Sequence, residues 1–157
     1  ANAQLDFDLE LAKSQSADNP VYYLQYAHAR IASIFKKAAI DFTLEDLLLQ
    51  LHHLTLPEEF ELIAKLHEYP EVLTVAAYHS EPHRVAFYLL ELAQQFQAYY
   101  SRAKQDAQYK VITDHREQTL AKLALLQGIQ IVFKNGFAIL GISAPEWMEH
   151  NTSHAEC

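Results

Sequence analysis

The sequence predicts an all-α protein, an antiparallel bundle of five or six helices. Apolar residues recur at three- and four-residue steps along several long stretches. Short polar breaks, several of them holding proline, separate those stretches. Strand-like alternation is absent, and glycine is rare, three in 157 residues. A single domain of this length buries roughly 68–70% of its unfolded surface, enough to need no staples.

Residues 1–4 carry no pattern, as a cloning remnant would not, and the domain is taken to run over 1–157. Phe7, Leu9 and Leu11 with Asp6, Asp8 and Glu10 make a short amphipathic entry, read as a helical turn or two before the polar run SQSADN. The first long helix starts at Pro20, capped by Asp18 or Asn19, and ends near Ala39. Leu24, Ala27, Ile31, Ile34, Phe35 and Ala38 form its core stripe. Thr43 and Asp46 make a capping box for a helix over LEDLLLQLHH. Pro57 opens a third helix, and Pro70 is expected to divide it from a fourth, PEVLTVAAYHS. A long helix follows from about Pro82 to Lys104. The last, Arg116 to Leu140, is apolar on most sides, capped by Thr113 or Asp114, weakened at Gly136 and ended by Gly141. Residues 143–157 read as irregular chain, with 149–157 a tail.

Composition narrows the function. The net charge is −8 with four arginines, which argues against coating duplex phosphates. It argues less against reading a few unstacked bases, where ring stacking supplies much of the binding. One cysteine, at the C-terminus, excludes a disulfide framework and suggests a reducing compartment. No charged leader is seen and no apolar run approaches the ~18 residues of a membrane span, so a soluble, cytoplasmic protein is expected.

Catalytic signatures are missing: no phosphate loop, nucleophile elbow, HExxH or CxxC. A metal site is not expected either. His52 and His53 should point apart on a helix, Pro82 interrupts the His79–His83 pair, and His150, His154 and Cys157 lie in the tail. His28, beside the core stripe, reads as a partly buried, hydrogen-bonded histidine.

A second stripe on the first long helix points to binding. Tyr23, Tyr26, Arg30, Ser33 and Lys37 follow at i, i+3, i+7, i+10 and i+14, rings first and positive charge after. Packing alone does not require such a face, although tyrosines on bundle helices commonly bury their rings and leave the hydroxyl wet. Lys37, Arg102 and Lys104 are the candidate phosphate contacts to go with Arg30.

The string NPVYYLQYAHAR resembles the start of the DALR domain, the C-terminal anticodon-binding domain of arginyl-tRNA synthetases. FYLLELAQQFQAYY is similar to that family's long helix, and TLAKLALLQGIQIVFKNGFAILGISAPEWM to its closing segment. The resemblance implies a helical bundle that grips an anticodon stem-loop and flips out loop bases. By motif it carries base contacts onto Tyr23, Tyr26, Arg30, Tyr100 and Met148. It further implies an arginine-accepting tRNA and a catalytic domain as partners, a monomer, and ATP used only by the catalytic part. This piece alone would hold no cofactor and be inactive. The competing reading is a stand-alone helical module that docks a protein through its tyrosine face.

Overall fold

Asn19 starts the first helix. Its side-chain oxygen accepts the backbone N–H groups of Val21 (3.0 Å) and Tyr22 (3.5 Å), and Pro20 takes the first helical position. The computed structural model describes residues 18–149, together with Glu10, Lys13, Ser14 and Ser16. Of the expected helical turn over 6–11 only Glu10, which is helical, is among the described residues, and the 150–157 part of the tail lies outside them.

From Pro20 onward the described residues form five α-helices: α1 (Pro20–Ala38), α2 (Leu44–Leu49), α3 (Pro57–His79), α4 (His83–Ser101) and α5 (Arg116–Leu140). Short 3-10 turns occupy Leu51–His53, Arg102–Lys104 and Ala107–Tyr109. The capping box before α2 is present: Asp46 accepts the Thr43 N–H at 2.7 Å, and Thr43 accepts the Asp46 N–H at 3.1 Å. Three residues join α3 to α4, which turns the two back along each other.

Pro70 does not break α3, contrary to the expected division. Its missing N–H leaves the Leu66 carbonyl without the usual helical partner, a cost of about 3 kcal/mol in an isolated helix. Packing offsets that cost, because the buried side of α3 (Leu62, Tyr69, Ala76) runs straight through the proline while Pro70 itself is exposed. The cap of α5 also differs from expectation. His115 is the N-cap residue, and Thr113 instead bonds the His115 backbone and the Thr119 hydroxyl.

α5 is the hub. It packs against α1, α2, α3, α4 and the Leu51–His53 turn. Leu123, Leu126, Ile129, Phe133 and Phe137 are fully buried against Ile31, Leu89, Leu92 and Phe96. An 18-residue stretch within its 25 residues has a mean hydropathy of 1.5, enough by length and composition to cross a bilayer, which corrects the expectation that no such run exists. Its neighbours in the bundle account for that character. Gly136 does not interrupt the helix; it lets Leu89 approach so closely that an added Cβ would stand 2.7 Å from a Leu89 methyl. Gly141 ends α5 at φ 70°, as expected.

Beside the hub lies a buried polar knot. Glu59 (1% exposed) accepts the N–H groups of Thr55 (2.8 Å) and Leu56 (3.0 Å) and the Tyr99 hydroxyl (2.9 Å). Lys122 stands 3.8 Å from it and donates to the Gln108 and Lys110 carbonyls. Burial lowers the Lys122 pKa against the opposing pull of Glu59, and burial raises that of Tyr99, keeping the phenol a donor.

Candidate nucleic-acid interface

After Gly141 the chain crosses back over α1, and four α1 residues hold it there. Gln25 donates to the Ser143 carbonyl (3.1 Å) and hydroxyl (2.9 Å). The His28 Nδ1–H donates to the Pro145 carbonyl (2.8 Å), Lys36 pairs with Glu146 (3.8 Å), and the Tyr22 hydroxyl donates to the Glu149 carbonyl (3.3 Å). This strap carries Met148 to the side of α1 that faces the end of α4.

There an open cleft of about 280 Å³ is lined by Tyr26, Arg30, Ser33, Lys37, Tyr100 and Met148, with Ala29 and Ile34 beneath. Five residues expected from the sequence therefore meet in one place, from three separate segments. Arg30 sits at its centre. Its guanidinium carbon is 4.7 Å from the Tyr26 ring centroid and 5.1 Å from that of Tyr100. One guanidinium nitrogen donates to the Tyr26 hydroxyl at 2.5 Å, and the other donates to the Gln97 side-chain oxygen. Tyr22 stacks on Tyr26, 6.4 Å between centroids and 14° between planes.

Tyr23 is placed differently. It is half-buried against the core and does not line the cleft, and burial raises its pKa against a smaller lowering by Arg30. Arg102 is also elsewhere, paired with Glu58 and lying 5.4 Å from the Tyr109 ring centroid. Tyr99 is buried, whereas Tyr100 is half-buried and lines the cleft. Gln97 escaped the sequence reading, because a glutamine on an amphipathic helix carries no signal until Arg30 is seen beside it.

The histidines are dispersed. His52 and His53 share a 3-10 turn and lie ring against ring, 4.1 Å apart, rather than pointing apart as expected. His28 is more deeply buried than expected: it has no exposed surface, and its Nε2 has no partner among the described residues.

Fold and cleft together define an all-helical binding module whose rings and cations suit a flat, anionic ligand. The DALR anticodon binding domain profile matches residues 24–148, and the chain belongs to that family. It is 49% identical to an arginine–tRNA ligase of Desulfosudis oleivorans, over 94% of this chain and 26% of that protein. It is 45% identical to an arginine–tRNA ligase of Anaeromyxobacter sp. strain K, over 95% of this chain and 25% of that protein. A solved structure of Thermus thermophilus arginyl-tRNA synthetase superposes with a TM-score of 0.77 at 34% identity, over 93% of this chain and 24% of the other. The chain thus spans about a quarter of the length of the relatives it matches.

Proposed function

We propose that this chain is the anticodon-binding domain of an arginine–tRNA ligase, and that the cleft between α1 and the end of α4 receives a base pulled out of an anticodon loop. The observation that carries this is Arg30 held between the Tyr26 and Tyr100 rings at an open cleft. A base entering there meets the Tyr26–Arg30–Tyr100 cluster, flat groups for stacking, and the guanidinium N–H groups not used by Tyr26 and Gln97 for its edge. Met148 supplies an adaptable apolar wall. Lys37 and Lys104 are the phosphate contacts in this reading, and Arg102 could join them only by leaving Glu58. Tyr23 supports α1 from the core side rather than touching RNA.

The whole ligase would join arginine to its tRNA at the expense of ATP, with ATP and the chemistry in the catalytic remainder. It would act in the cytoplasm as a monomer. This domain contributes recognition and holds no cofactor.

Titrating the chain with an arginine-acceptor anticodon stem-loop and with a mismatched loop, at two salt concentrations, tests the reading. The matched loop binds more tightly, and Tyr26→Ala or Tyr100→Ala each loses on the order of 1–3 kcal/mol. Equal binding of both loops, unchanged in the two variants, overturns it in favour of a protein-docking module.

A further inference from the structure

We propose that a second cleft, adjoining the first, takes the next nucleotide of the same loop, with Lys37 on the phosphate between the two. This rests on the anticodon-loop reading above. The second cleft, about 460 Å³, shares Ile34, Lys37 and Tyr100 with the first. Its remaining wall is apolar, formed by Ala103, Val111 and Ile112. Lys104 and Lys110 stand at its rim.

Charge argues for an anionic occupant. In a chain of net charge −8, the cleft between α3 and α4 carries Glu68, Glu71 and Glu91, and the one beside the start of α5 carries Glu59 and Asp114. The two clefts that share Tyr100 are lined by no carboxylate. Lys37, Lys104 and Lys110 form no ion pair among the described residues, whereas Lys36, Lys65 and Lys122 each face a glutamate. Unpaired cations around an apolar floor fit a flat base with a phosphate attached.

Continuity argues for two linked nucleotides over one free nucleotide. Tyr100 lines both spaces, and Lys37 stands where a chain passing from one to the other must run. The Lys110 rim is also fixed in place. Buried Lys122 donates to the Lys110 carbonyl at 3.0 Å, and the Lys110 N–H closes a turn on Ala107 at 3.1 Å.

The test uses this chain and a fluorescent arginine-acceptor anticodon stem-loop, with each loop base removed in turn to leave an abasic site. Two adjacent abasic positions are expected to weaken binding by the unaltered chain. Tyr26→Ala becomes indifferent to one of them, and Ile112→Asp to the other, each weakening the intact loop by at least about fivefold. The exposed pair Lys104→Ala/Lys110→Ala, which cannot disturb the core, makes the salt dependence shallower by about 0.7 per lost phosphate contact. If Tyr26→Ala weakens binding but Ile112→Asp and the lysine pair change neither base sensitivity nor salt slope, the second cleft is overturned and the first stands. If Tyr26→Ala also changes nothing, both readings fall. Should Ile112→Asp fail to fold by circular dichroism, the lysine pair decides: an unchanged slope overturns the second cleft.

Discussion

The ring nitrogen Nδ1 of His28 and the carbonyl oxygen of Pro145 lie 2.8 Å apart, joining α1 to a strap 117 positions further along the chain. In the neutral imidazole the proton sits on Nδ1, facing that carbonyl, and Nε2 has no partner among the described residues. Burial holds the His28 pKa below its ordinary value, with Lys134 adding to the shift and Pro145 and Glu146 opposing it. The unfolded chain therefore takes up a proton that the folded chain resists. Stability is level above about pH 6.5 and falls as the pH drops below that value. His28→Asn keeps a donor at the Nδ1 position and removes the titration. Urea unfolding at about pH 7.5 and about pH 5.5 should show a smaller acid loss for that variant than for the unaltered chain. His28→Leu, which strands the Pro145 carbonyl, should cost about 1–3 kcal/mol at either pH.

Arg30→Lys separates charge from shape. The ammonium keeps the positive charge but cannot lie flat between Tyr26 and Tyr100 while also reaching Gln97. Stem-loop affinity should fall by about 1–2 kcal/mol with its salt slope unchanged. Lys37→Ala should do the reverse, making the slope shallower by about 0.7 with a smaller loss at high salt. Anisotropy titrations across a salt series distinguish the two patterns.

Gly136→Ala sets helix propensity against packing. Alanine is favoured over glycine inside a helix by up to about 1 kcal/mol. The new Cβ, however, would stand 2.7, 2.9 and 3.2 Å from three atoms of fully buried Leu89. Overpacking of this kind costs about 1–3 kcal/mol, so the variant should be less stable overall. Adding Leu89→Ala should make the Gly136→Ala change favourable, and a double-mutant cycle by thermal unfolding measures that reversal.

Lys122→Met removes the cation beside a glutamate that is 1% exposed. The remaining partners of Glu59, two backbone N–H groups and the Tyr99 hydroxyl, do not neutralise it. The loss should be about 3–5 kcal/mol, and adding Glu59→Gln should recover part of it, because the stranded charge is the main cost. Chemical denaturation of the single and double variants checks both statements.

Local patterns carried most of the helices. The start of α1, the capping box at Thr43 and the full span of α5 are written in residues a few positions apart. Pro70 misled because its effect is decided elsewhere: α3 stays whole through what Leu62, Tyr69 and Ala76 bury against. The site divides in the same way. Tyr26, Arg30 and Lys37 share one helix face and are legible from spacing, and Tyr100 and Met148 came only from the family's motifs. What brings Met148 home is the set of contacts between the strap and α1, the His28–Pro145 bond among them, tertiary contacts without a local signature. Lys110 lies in a polar connection and gains meaning only once that loop is seen beside Tyr100.

The grip on Arg30 has a consequence for how recognition is divided between protein and RNA. Its fork is tied to Tyr26 and Gln97 by the protein's own bonds, so little side-chain freedom is left to lose when a base arrives. Most of the rearrangement then falls on the loop, which must unstack and splay. A loop that resists opening would be rejected before its letters are read.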